Sequence, residues 1–152
     1  MTAPNSLPSE RCAIVGSIDP DAYSATTYDT AFVDAAKFRR LQAIVMVGTM
    51  QSSSTVAAKL MRAEDASGTN AEDITGAAIT TLTQAGSDSD KQAIINYDTQ
   101  GEEGNAKRFI GLRVTVAAAD SDMSALLLGF DPFSSPASDH DESSVDEIVS
   151  KP

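Results

Sequence analysis

Side chains able to do chemistry are few in this chain, and they are poorly grouped. The single histidine, His140, and the single cysteine, Cys12, stand near opposite ends. A nucleophilic hydrolase needs a serine or cysteine beside a base, usually histidine. His140 falls in an acidic stretch and reads as a solvated residue, whereas Cys12 opens the apolar run Ala13-Ile14-Val15 and reads as a small hydrophobe. Four Asp-x-Asp pairs (Asp19/Asp21, Asp88/Asp90, Asp120/Asp122, Asp139/Asp141) offer oxygens of the kind calcium takes. None has the fixed glycine and distal glutamate of an EF-hand loop, so they read as turn residues accepting bonds from local amides. Gly101-Glu102-Glu103-Gly104 would repel phosphate and lacks the Gly-Lys-Ser/Thr of a phosphate loop. With no Trp, 3 Tyr and 5 Phe there is little material for a sugar platform. The chain therefore reads as a non-enzyme with no cofactor and no metal.

What remains is binding. Arg39-Arg40 and Lys107-Arg108 are the adjacent basic pairs, and they either discourage edge-to-edge strand pairing or contact an acidic neighbouring subunit. Over 152 residues, 22 acidic side chains oppose 11 basic ones, for a net charge of −11. Nucleic-acid binders neutralise phosphates with Lys and Arg clusters, so this balance argues against nucleic acid as a partner. An anionic membrane surface would repel the chain as well. One cysteine excludes an internal disulfide. The N-terminal segment has no basic stretch followed by an apolar run, so no signal peptide is expected. The longest apolar run, Ala43 to Val47, falls far short of the ~20 residues that span a bilayer.

The elements that must position these residues separate by composition. Residues 1 to about 30 carry Pro4, Pro8 and Pro20 among Ser, Thr and Asp and read as an extended N-terminal arm, of which residues 1–22 are expected to be removable without unfolding the rest. Residues 31–133 hold nearly all the large apolar side chains and read as the core domain. Residues 134–152, with Asp139, Asp141, Glu142, Asp146 and Glu147 opposed by Lys151, read as an acidic, loosely ordered tail.

Within the core the dominant period is two. Ile110, Leu112, Val114 and Val116 alternate with Gly111, Arg113 and Thr115, the pattern of a half-buried strand. Leu126 to Phe130 follows the Asp120-Ser121-Asp122 turn signal and is expected to pair with 109–118 as a hairpin. Residues 39–49, 79–83 and 92–97 read as further strands. Residues 55–65 are rich in helix formers, with Ser54 as a cap and Gly68 as a stop, yet Val56, Ala58 and Leu60 alternate, and the segment is read as a strand. Residues 31–37 read as a loop or single turn. Six strands with short polar connections make an all-β antiparallel sandwich or flattened barrel, ahead of a mixed α+β domain.

Four segments, in order, carry a resemblance: Tyr23-Ser24-Ala25-Thr26-Thr27-Tyr28-Asp29-Thr30, the long strand ending Val47-Gly48-Thr49, Lys59-Leu60-Met61-Arg62-Ala63-Glu64-Asp65-Ala66-Ser67-Gly68, and Lys107 through Val116. Over about residues 23–130 the chain resembles the capsid decoration (cement) proteins of tailed, siphovirus-like phages. It departs from that pattern after the Ser67-Gly68 turn, where members often carry Trp and this chain continues Thr69-Asn70-Ala71-Glu72. The resemblance implies a non-enzymatic virion protein that binds the outer surface of the head, has the major capsid protein as its partner, and acts as a homotrimer. The residues expected to make such contacts are Pro4, Leu7, Pro8 and Ile14 on the arm, Tyr23 and Tyr28, and the cations Arg39, Arg40, Lys107 and Arg108. Two alternatives fit the same sequence: a head–tail connector or tail-terminator subunit, for which a long helix over 55–65 would be the sign, and a carbohydrate- or receptor-binding module of a virion fibre.

Overall fold

Buried and less buried positions alternate along most strands, including stretches that are apolar on both faces. The computed structural model describes residues 6–102 and 104–151 and contains, among them, ten strands. These are β1 (Cys12–Tyr23), β2 (Thr27–Asp29), β3 (Val33–Asp34), β4 (Phe38–Met50), β5 (Thr55–Ala63), β6 (Glu72–Ala78), β7 (Leu82–Thr83), β8 (Gln92–Asp98), β9 (Phe109–Ala117) and β10 (Ser121–Pro132). Among the described residues, helical structure is confined to one turn, α1 (Pro8–Arg11), and to 3-10 turns at Ala35–Lys37 and Ala137–His140.

Sheet 1 has the order β1-β10-β4-β8, and sheet 2 the order β2-β9-β5-β6, with β3 added on β9 and β7 on β5. Every pair is antiparallel. Counting the eight principal strands in chain order, 1-8-3-6 faces 2-7-4-5, which is the jelly-roll arrangement of two Greek keys. Between the sheets lie Phe38, Leu41, Val45, Leu60, Ile110, Leu112 and Leu127, each almost wholly removed from water. Burying one such side chain is worth about 1.5–3 kcal/mol. Gly129 makes room for the largest of them: a Cβ there would stand 2.7 Å from the Phe38 ring.

The all-β sandwich expected from sequence is the fold, and 55–63 is a strand. Four expectations differ from the structure. β9 and β10 do not form a hairpin: β9 pairs with β5 and β10 with β4, and the chain crosses between sheets at a corner where Ala118 takes φ 67°. Both strands present one fully apolar face, and opposing sheets let those faces meet. Of residues 1–30, Cys12–Tyr23 are no separate arm but an edge strand whose Ala13, Val15 and Ile18 are in the core, so removing residues 1–22 would strip β10 of its neighbour. Of 79–83 only Leu82–Thr83 is a strand, while β6 arises where no strand was expected.

The fourth difference is the tail. Ala137 is fully buried, the His140 ring meets the Phe38 ring edge-on at 5.4 Å between centroids, and His140 is thus half-buried rather than solvated. The N–H of Ile14 donates to Asp141 Oδ1 at 2.7 Å, the N–H of Glu142 donates to the Ile14 carbonyl at 2.8 Å, and the Ser17 hydroxyl donates to Glu142 at 2.8 Å. Residues 137–142 are therefore fastened along the free edge of β1.

Candidate functional site

The two sheets treat their outer faces differently. On sheet 2, outward side chains are paired across strands. Arg113 donates twice to Asp29 at 2.8 Å, Lys59 bonds Asp73 at 2.8 Å, and Lys107 bonds Glu72 at 2.7 Å. The Asp29 carboxylate holds the Arg113 guanidinium above its ordinary pKa, and the Lys107 ammonium holds Glu72 below its own. The apolar remainder of that face is closed by the Phe32 ring, which packs with Met61 and Ala63 and lies directly over Gly111. Little unsatisfied surface is left.

Sheet 1 shows the opposite. Register places outward residues in rows: Cys12, Phe130, Arg40 and Asp98; then Ile14, Leu128, Gln42 and Asn96; then Ser17, Leu126, Ile44 and Ile94; then Ser124, Met46 and Gln92. Ile14, Leu126, Leu128, Phe130 and Ile44 are half-buried, Met46 is 47% exposed and Ile94 57% exposed. Four strands about 4.8 Å apart and rows about 6.8 Å apart give the whole face an area on the order of 300–400 Å², with the apolar side chains as its central part. It is shallow, with depressions of about 470 Å³ beside Arg40, Gln42, Asn96 and Phe130 and of about 440 Å³ beside Pro20, Met46, Gly48 and Ser124.

The residues expected to make contacts distribute unevenly around it. Pro4 lies outside the described residues. Ile14 is on the face, and Arg40 is at its margin, bonded to Asp131 at 3.4 Å. Leu7 and Pro8 start α1, where the Leu7 N–H donates to Glu10 at 2.6 Å, and Pro8 lines a depression of about 320 Å³ next to Phe130. Arg39 sits over the exposed Phe133 ring, 4.7 Å from its centroid. The others do not join them. Tyr23 and Tyr28 pack edge-to-face at 4.5 Å against the core, near the β1–β2 turn. Lys107 is held by Glu72, and Arg108 by Asp34 at 3.0 Å, on the side of sheet 2.

Sequence reasoning missed Ile44, Met46, Leu126, Leu128 and Ile94. The signal was present in Ala43-Ile44-Val45-Met46-Val47 and Leu126-Leu127-Leu128: runs that do not alternate mark strands apolar on both faces.

The side chains first weighed for chemistry do not assemble. Burial, and then the charge of Asp141, push the Cys12 thiol pKa up, away from a reactive thiolate. Asp88 accepts from the Thr83 N–H and from Lys91, closing its own loop. Among the described residues no three His, Cys, Asp or Glu side chains converge as a metal site would require.

No protein-family model matches the chain, and no curated protein matches it in sequence. Solved structures similar to it include a chain of the cowpea mosaic virus empty virus-like particle (TM-score 0.45, 11% identity, 88% of this chain and 85% of that one). The tobacco streak virus coat protein (0.41, 9%, 96% and 99%) and the Bacillus endospore appendage pili (0.36, 13%, 85% and 97%) are also similar. At TM-scores under 0.5 such likeness says nothing about activity, partner or source.

Proposed function

We propose that this protein is a non-enzymatic virion protein, a decoration protein that sits on the outside of a tailed-phage head and reinforces it. Its partner is the major capsid protein, and its contact surface is the outer face of sheet 1. The observation that carries this reading is the contrast between the two faces. Ion pairs and the Phe32 ring finish the outer face of sheet 2, whereas sheet 1 leaves Met46 and Ile94 exposed beside the half-buried Ile44 and Leu126. A shallow apolar sheet face suits a broad protein surface better than a small molecule, which favours a deep concave site. The segments resembling phage decoration proteins supply the choice of partner. A jelly roll by itself does not, because the same topology serves capsids, lectins and cupins. A connector subunit often includes a long helix, and the segment that offered one, 55–65, forms strand β5 over Thr55–Ala63, which disfavours that alternative.

The test is co-sedimentation of the purified protein with undecorated mature heads, imaged by electron microscopy. Regular outer density at symmetry-related positions, with heads that survive higher temperature, is the expected result. Met46→Lys should weaken binding about tenfold or more while leaving the melting curve unchanged, since an unpaired ammonium would have to be buried. Absence of binding by the wild-type protein, or equal binding by the variant, would overturn the reading.

A further inference from the structure

An exposed sheet edge is a template for another strand, and proteins ordinarily blunt it by bulges, charges, shortness or a covering segment. Three of the four edges here are blunted. The β1 edge has register breaks and is covered at Ile14 by Asp141 and Glu142. The β6 edge begins Glu72-Asp73, slips register against β5, and kinks at Gly76 with φ +83°. The fourth side of sheet 2 is divided into the short strands β2 and β3.

β8 lacks a bulge, and its one charged side chain, Asp98, is at its last position. It pairs with β4 over seven residues without a register break, and its sequence, Gln92-Ala-Ile-Ile-Asn-Tyr-Asp98, contains no Pro and no Lys. The Val47 N–H donates to the Lys91 carbonyl and the Thr99 N–H to the Arg39 carbonyl, so odd-numbered residues turn their amides toward β4. The N–H and C=O groups of Gln92, Ile94 and Asn96 therefore point away from the sheet. The side chains of all three are exposed.

We infer that β8 pairs antiparallel with β8 of a second copy about a two-fold axis, joining two four-stranded sheets into one of eight. Self-pairing is favoured over a foreign strand because the edge is complementary to itself. The two-fold sets Ile94 of each copy diagonally beside Ile94 of the other, with Asn96 opposite it, so the exposed apolar side chain of one edge is covered by that of the next. Amide parity and strand overlap together select the register. Ile94 opposite Asn96 overlaps all seven residues and sets Gln92 against Asp98. Slipping the pair so that Ile94 opposes itself keeps the parity but leaves Tyr97 and Asp98 beyond the partner's strand, beside the turn where Asp90 takes φ 61°. In the chosen register the apolar faces of the two copies become continuous, doubling the surface described above. The inference stands independently of the capsid reading, and it departs from the trimer that the resemblance implies.

The interface is small and belongs to the weak class below about 1,200 Å², so the mass is read at about 100 μM protein by light scattering and sedimentation equilibrium. The expected species is a dimer. Asn96→Pro removes an N–H that points away from β4, so the variant should keep its melting transition and become monomeric. Ile94→Lys should do the same by charge repulsion across the axis. In a Cys12→Ser background, the double variant Ile94→Cys/Asn96→Cys should oxidise to a covalent dimer, with peptide mapping showing residue 94 linked to residue 96. A wild-type monomer at that concentration, a dimer or trimer unaffected by both edge variants, or links from 94 to 94 alone would overturn it.

Discussion

The backbone N–H of Ile14 donates to the Asp141 carboxylate at 2.7 Å across 127 residues of chain. Its carbonyl accepts from the N–H of Glu142, so both groups of this edge residue are satisfied by the C-terminal segment. The contact turns an acidic tail into part of sheet 1, and it explains why β1 is a closed edge while β8 is open.

From this contact, truncation after residue 134 is expected to destabilise the fold by about 2–4 kcal/mol, from three lost hydrogen bonds and the exposed cavity under Ala137. Truncation after residue 142 should cost little, because Ile148 and Val149 are exposed. Urea midpoints of the two truncations against the full chain measure the difference. Equal midpoints for both would show the clasp to be energetically idle.

Gly129→Ala should destabilise by about 1–3 kcal/mol, because the added methyl stands 2.7 Å from the ring of the fully buried Phe38. Pairing it with Phe38→Leu should recover part of the loss, a non-additivity that thermal melts of the single and double variants would reveal.

Tyr97 donates its hydroxyl to Glu102, and burial with this bond pushes its pKa up from 10.0 to about 12. The folded protein then holds this proton more tightly than the unfolded chain. The resulting stability is complete below pH 10 and is lost as pH rises from 10 toward 12. Absorbance titration of the phenols should show Tyr97 ionising late, with the late step absent in Tyr97→Phe. The same substitution should flatten the fall in melting temperature across that window.

Much of this architecture was legible in residue order, because a period of two is a local property. Ile110, Leu112, Val114 and Val116 declare a strand whatever surrounds them, and Val56, Ala58 and Leu60 declared another despite the helix propensity of their neighbours. In β5 the propensity, a few tenths of a kcal/mol per residue, yields to a ladder with β9 along nine residues. Composition likewise argued against a nucleic-acid partner and offered no catalytic grouping. What residue order does not contain is which strands become neighbours. β9 and β10 are adjacent in the chain and lie in opposing sheets, because a sandwich is closed by bringing two apolar faces together rather than by pairing whatever comes next. That choice, made by long-range burial, is also what leaves Met46 and Ile94 facing water, brings Asp141 to Ile14, and leaves the amides of β8 without a neighbour.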